Sequence, residues 1–423
     1  MKHIFYSLPA FAFAIPTFPV MVFLPALYSE NFGLSISYIG VVLFIAKIFD
    51  IITDPVMGWL NDKRIMSRKF WIIFGALLSG LSLHKLFQLE SLPYNEYLFI
   101  WIVLLYVGWT MFQIPYLSIG YEIEDNYHDR TKLSATREFF VLLGLFCSLS
   151  IPMIVELENK ELVKSLVNLA LISGFVGLVF FLFFVRTKRP KARKKLSINT
   201  ILNLKKNSKI RKLFFIWFLN SLANVFPMIL FVFFITYVLG GNDGNRQETL
   251  FYYFLFSVIG IPIWTLLSKK TNKVFTWRVS LILSAIIFSL VLFLENGNFA
   301  YFIIISCLTG LCLGADLLIP LSIQADMIDF HRMKFKEDIS GFIFSVITFL
   351  NKISFAIASI FVFGILGMLD FDSDKDINQQ SKYFIIFSYA VIPIILKLTA
   401  SLLLKRLNFT ENELISIQKE INM

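Results

Sequence analysis

Twelve stretches of about 20 mostly apolar residues, joined by short loops, constrain this chain more than any other feature. They fall near 5–28, 37–60, 70–88, 97–120, 137–155, 164–185, 212–238, 249–267, 277–295, 299–324, 339–367 and 381–404. About that length of helix crosses the hydrocarbon of a bilayer. Of the 423 residues, 57% are hydrophobic and 16% charged, against roughly 45–50% and 25% in soluble domains. Water could not accommodate so much apolar surface, whereas lipid does. In lipid each helix satisfies its own backbone, so the expected fold class is an all-α polytopic membrane protein with twelve transmembrane helices. Lys2 leads straight into the first stretch with no small-residue cleavage site behind a short apolar core, which reads as a spanning helix and not as a removable signal.

The loops alternate in charge. One set holds Lys63, Arg64, Arg68 and Lys69, then Arg130 and Lys132, the run from Arg186 to Lys195, Lys269, Lys270 and Lys273, and finally Arg332, Lys334 and Lys336. The other is acidic or mixed: Glu30, Glu90 and Glu96, Glu156, Glu158 and Glu161, Asp243 and Glu248, and Asp370 to Asp376. The positive-inside rule puts the basic set, and with it both termini, in the cytoplasm. The longest basic run divides the chain into a six-helix bundle over 1–190, a basic linker over 191–211 and a second bundle over 212–423. An internal repeat agrees: Ile114-Pro115-Tyr-Leu-Ser resembles Ile319-Pro320-Leu-Ser at an offset of 205 residues, which also carries Trp59 onto Trp264.

Several function classes drop out. The net charge of +10 sits in loops between apolar runs, so nucleic acid is not an expected partner. Cys147, Cys307 and Cys312 lie inside apolar runs without metal or disulfide spacing, and His3, His84, His128 and His331 are scattered near loops and termini. There is no Ser/His/Asp set, phosphate-binding loop or HExxH motif. The chain is therefore not expected to be an enzyme or an ATP-driven pump, and energy has to come from a gradient or from the solute itself. The expected partners are the bilayer and a small-molecule solute, for a monomer with no cofactor beyond a coupling ion, Na⁺ or H⁺.

Charges inside the apolar runs carry the information, because each costs roughly 2.5–3.5 kcal/mol to insert. The second run reads Lys47-Ile-Phe-Asp50-Ile-Ile-Thr53-Asp54-Pro55. Lys47, Asp50 and Asp54 share a helix face, flanked by Thr53. Two carboxylates and a hydroxyl in low dielectric suit a hard monovalent cation (Na⁺ held by Asp50 and Asp54) or a proton shared between acids. A buried Lys47–Asp50 pair is the plainer reading. Thr110 and Gln113 in the fourth run read as ligands or as an interhelical hydrogen bond. Arg137, opening the fifth, either reaches a central cavity or caps a helix end. Asp316 lies in the tenth run, and Asp326 and Asp329 near its cytoplasmic end read as gate residues. Lys352 has no acid within a helical turn and needs a partner from another helix, naturally Asp50 or Asp54. Lys397 and Lys85 lie nearer helix ends and are expected to snorkel.

These residues resemble the glycoside–pentoside–hexuronide cation symporters of the major facilitator superfamily. Lys47 to Trp59 resembles that family's second helix, Thr110-Met-Phe-Gln113-Ile-Pro115 its fourth, Arg137-Glu-Phe-Phe140 its fifth, and Ala325-Asp326-Met-Ile-Asp329 with the Lys352 helix its tenth and eleventh. The resemblance implies the major facilitator fold of two six-helix bundles and cation-coupled symport of a small solute, sugar-like by family. It places Asp50, Thr53, Asp54 and Thr110 at the cation site, with Lys352 close to the carboxylates. Gln113, Arg137, Lys352 and Lys47 are the expected substrate-binding residues, and Asp62, Arg64, Asp326 and Asp329 the gating ones, Asp62 pairing with Arg64 and Lys69. The family's sugar-binding members use an Asp in the first helix and another in the fourth, where Ala14 and Gln113 stand here. The aromatic first helix, with Phe11, Phe13, Phe18 and Phe23, also admits an amphipathic or lipid-like solute, and a non-transporting membrane sensor is the rival class.

Overall fold

The structure is a computed structural model and describes the chain apart from residues 18, 31, 64, 90–95, 155–158, 187–203, 205, 336, 338, 370–377, 408–410 and 423. Arg64, Phe18, most of the linker and the acidic loop from 370 to 377 thus lie outside the described residues. Its helices are α1 Lys2–Ala14, α2 Leu24–Glu30, α3 Ile36–Lys63, α4 Arg68–Phe87, α5 Tyr97–Ile123, α6 Tyr127–Ile154 and α7 Asn159–Phe184. They continue with α8 Ser208–Phe233, α9 Asp243–Lys270, α10 Lys273–Ser289, α11 Phe299–Phe335, α12 Ser340–Met368, α13 Gln379–Ile386, α14 Ile392–Leu404 and α15 Glu411–Asn422.

Ten helical spans among the described residues are long and apolar enough to cross a membrane. The other two expected spans depart from that pattern for visible reasons. The first is divided into α1, a π-helical turn over Pro19–Phe23 and α2. Pro16 and Pro19 have no N–H to give the ladder, and Val20 N–H continues the chain by donating to the Pro16 carbonyl at 3.0 Å. The second, α3, runs for 28 residues, and Lys47, Asp50 and Asp54 interrupt its apolar character.

Two other boundaries move. Asn126 accepts from the N–H groups of His128 and Asp129, at 2.9 and 3.4 Å, so α6 starts at Tyr127 and Arg137 stands about three turns in, not at its first turn. α11 extends over 37 residues, about 55 Å at 1.5 Å per residue. Asp326, Asp329 and His331 therefore ride on this helix and not in a loop.

The chain forms two compact units. The first comprises Met1–Thr200 with Lys334–Phe349, the second Ile201–Met333 with Leu350–Met423. The opening of α12 thus packs with the first unit, and the helix continues in the second. Without water to drive apolar association, helices in lipid hold together by close packing of small residues. In the first unit a Cβ on Gly75 would stand 2.5 Å from Phe112 N, and one on Gly108 would stand 2.7 Å from Ser79 N, so α4 and α5 cross with their backbones nearly touching. In the second unit the core gathers on aromatic rings: Phe234 stacks on Tyr389 with centroids 4.1 Å apart. Both belong to π-helical turns, Phe234–Val238 and Phe387–Val391.

The repeat read from the sequence recurs in detail. Ser67 caps α4 by accepting from Phe70 N–H at 3.1 Å, and Asn272 caps α10 by accepting from Phe275 N–H at 2.7 Å. Each pair is displaced by the same 205 residues.

Candidate functional site

Asp50 and Asp54 lie one turn apart on α3 and are 4% and 1% exposed. A charge so deep in an apolar span persists only with polar company. α5 brings Thr110, whose Oγ1 donates to Asp54 Oδ1 at 3.0 Å and lies 3.4 Å from Asp50 Oδ1. One hydroxyl thus touches both carboxylates. Thr53 Oγ1 bonds the Asp50 carbonyl at 3.1 Å and lies 3.4 Å from Thr110 Oγ1. Lys47 Nζ donates to Asp50 Oδ2 at 2.8 Å and stands 5.0 Å from the Tyr106 ring centre. All four residues of the expected cation set therefore meet, and so do the partners of the plainer Lys47–Asp50 reading. The donor set is wholly oxygen, from carboxylates and hydroxyls, which a hard cation prefers. A threonine hydroxyl also carries lone pairs and can turn from donor to ligand. Among the described residues no three His, Cys, Asp or Glu gather around a common point as a transition-metal site would require.

Of the residues expected to bind substrate, Lys47 bonds Asp50. Gln113 is half-buried on α5 and takes no hydrogen bond among the described residues. Arg137 pairs with the neighbouring, buried Glu138 on α6. Lys352 is half-buried on the part of α12 that belongs to the second unit.

At the end of α3 the geometry is that of a helix cap. Asp62 Oδ1 accepts from Gly341 N–H at 2.9 Å and Oδ2 from Phe342 N–H at 2.6 Å, so an α3 carboxylate caps the opening turn of α12. An anion there satisfies orphan donors and meets the positive end of the helix dipole. Arg68 braces the arrangement: its Nη1 bonds Glu122 and the Ser118 carbonyl, and its Nη2 donates to Ser340 Oγ at 2.8 Å and lies 3.7 Å from Asp62. The helices are pressed together here, because a Cβ on Gly58 would fall 2.2 Å from Ser345 Oγ. Lys69, the expected partner of Asp62, instead donates to the Leu182 carbonyl at 3.0 Å. One residue on from Arg68, it points some 100° around the helix.

Three further expectations change. Asp326 and Asp329 take separate partners: Asp326 holds Lys273 Nζ at 2.5 Å, and Asp329 accepts from Gln418 of α15 at 3.0 Å. Lys273 is 1% exposed and not a loop charge. Lys397 does not snorkel. It is 9% exposed and donates to Asp316 Oδ2 at 2.9 Å, while Trp277 Nε1 donates to Asp316 Oδ1 at 2.7 Å and Asn224 Nδ2 to Oδ2 at 3.3 Å. Sequence reasoning missed Lys397, Trp277, Asn224 and Arg68. The available signal was that Asp316, buried in an apolar run, demanded a cation of similar depth.

The model of a family described as MFS/sugar transport protein matches residues 5–411. The chain belongs to that family. It is 23% identical over 409 residues to the inner membrane symporter YicJ of Escherichia coli, covering 92% of this chain and 87% of the relative. It is 24% identical over 413 residues to the isoprimeverose transporter of Lactiplantibacillus pentosus, covering 92% and 85%. Among solved structures, the fucose:proton symporter FucP of E. coli aligns with a TM-score of 0.69 at 15% identity, over 97% of this chain and 98% of that one. The fold is thus the major facilitator fold, and this member of the family is an integral membrane transporter.

Proposed function

We propose that this protein is a secondary transporter that carries a sugar or glycoside together with Na⁺ or H⁺, the ion being taken at Asp50, Thr53, Asp54 and Thr110. The observation that carries this reading is the Thr110 hydroxyl set between two buried carboxylates of one helix. Two acids held so close cannot both stay ionised cheaply. A monovalent cation or a proton relieves them, while Lys47 occupies only the far oxygen of Asp50. The family's description and the isoprimeverose relative favour a sugar over an amphipathic solute.

The mechanism follows from this charge balance. Ion binding neutralises the α3 carboxylates, fixes α3 against α5, and raises affinity for the solute. Such coupling is reciprocal and on the order of 1–3 kcal/mol. The Asp62 cap on α12, braced by Arg68, is the latch that has to open for the solute to leave on the other side. The basic loops place that latch in the cytoplasm.

Asp54→Asn in proteoliposomes tests the ion site. A panel of labelled glycosides that includes isoprimeverose supplies the substrate, with a lysolipid as the competing class. We expect gradient-driven accumulation to fall about a hundredfold or more, well over 2 kcal/mol of coupling. Accumulation at the wild-type level would place the ion elsewhere, and accumulation of the lysolipid alone would replace the sugar.

A further inference from the structure

α8 carries Asn220, Ser221 and Asn224 within little more than one turn, in the midst of a run that is otherwise apolar from Leu213 to Phe233. Asn220 and Asn224 stand four residues apart and so share a helix face. Asn220 is 2% exposed, and among the described residues its buried Oδ1 accepts from no donor. Native proteins rarely leave a buried amide oxygen in that condition unless a water or a ligand supplies the proton.

Asn224 is half-buried, and the surrounding helices set its direction. A carboxylate only accepts, so the amide that faces Asp316 has to present its NH₂ to it. Asp316 is in turn held by Trp277 of α10 and Lys397 of α14. With its NH₂ committed, Asn224 turns its Oδ1 away from Asp316, and this oxygen takes no hydrogen bond among the described residues. The clamp is neutral overall, one carboxylate against one ammonium, so it offers no net charge to attract an ionic solute. What it leaves on offer are carbonyl oxygens that need O–H donors.

We propose that Asn220 and Asn224 form a hydroxyl-binding subsite for a neutral polyhydroxylated solute, with Asp316, Trp277 and Lys397 as positioning residues that aim the Asn224 amide. This rests on the reading of the protein as a sugar transporter and assigns part of the recognition to the second unit.

The test uses the purified full-length protein and the glycoside that raises its unfolding temperature most, together with analogues each lacking one hydroxyl. Asn224→Ala and Asn220→Ala are expected to weaken binding about tenfold each, with unliganded unfolding temperatures near that of the wild type. One deoxy analogue that binds the wild type weakly is expected to bind Asn224→Ala no more weakly than the parent sugar does. Asp316→Asn combined with Lys397→Gln keeps the site neutral and is expected to raise KM with little change in kcat, because only the aim of the amide is lost. Affinities within twofold of wild type in both alanine variants would overturn the subsite alone, as would every deoxy analogue losing the same affinity in variant and wild type. No glycoside stabilising the wild type would overturn the subsite together with the sugar-transport reading.

Discussion

The starts of α4 and α10 are the same device put to two uses. Both are capped by a polar residue that accepts from the N–H three residues on, and both follow the cap with a cation, Arg68 or Lys273. In the first unit the cation is a guanidinium at the rim of several acceptors, 12% exposed, reaching Glu122, Asp62, the Ser118 carbonyl and Ser340. In the second it is an ammonium sealed at 1% exposure against a fully buried Asp326. Arginine's planar guanidinium spreads five donors in a rigid fork that reaches well-separated acceptors, whereas lysine's ammonium is a compact charge. The position of Asp62 is the other half of the difference. At the same offset of 205 residues the second unit has Leu267, so no acid there can cap a neighbouring helix. One architecture thus carries a sealed ion pair in one unit and a spread set of contacts beside the Asp62 cap in the other.

Substitutions separate the two. The largest effect is expected from Lys273→Ala, because removing one partner strands a buried charge, at about 3–5 kcal/mol. Thermal unfolding in detergent measures this, and a loss no larger than that of Arg68→Ala would erase the contrast. Gly58→Ala comes next. The new methyl collides with Ser345, and overpacking of this kind costs about 1–3 kcal/mol. Pairing it with Ser345→Gly should restore only part of the loss in the same assay, because the Gly341 carbonyl would still stand 2.9 Å from the new methyl. Asp62→Ala removes a cap worth about 1 kcal/mol, so stability should fall modestly while the uptake rate changes more, as a latch would require. Equal rates in Asp62→Ala and wild type would remove the latch. The smallest effect belongs to Arg68→Lys, which keeps the charge and loses the geometry. The loss of a hydrogen bond or so from the fork, about 0.5–1 kcal/mol, is expected, read as a change in rate with KM unchanged.

The spans were legible because hydrophobic length is a local property, and the α3 site because charges stand out against an apolar background. Asp50, Thr53 and Asp54 needed only helical spacing to be placed together, whereas Thr110 showed as a polar residue of the fourth run and was joined to them only through the resemblance. Pairings across the second unit were hidden. Lys397 looked like a snorkelling residue and Lys273 like a loop charge because each was judged along its own helix, whereas Asp316 and Asp326 lie 81 and 53 residues away in sequence. Asp62 showed as an acid beside basic residues, and nothing local revealed that its partner was the backbone of α12. The break in the first span was signalled by Pro16 and Pro19, but a hydropathy ruler does not register it.

The π-helical turns carry a consequence of their own. Each widens the helix by one residue per turn, which rotates everything beyond it by about 100° relative to an uninterrupted helix. In the span that runs from α13 into α14, the residues past Val391, Lys397 among them, therefore face directions that counting along an uninterrupted helix from Gln379 would assign wrongly. Deleting a single residue within Phe387–Val391 would leave length and hydropathy almost untouched and yet swing α14 to a new heading, carrying Lys397 away from Asp316.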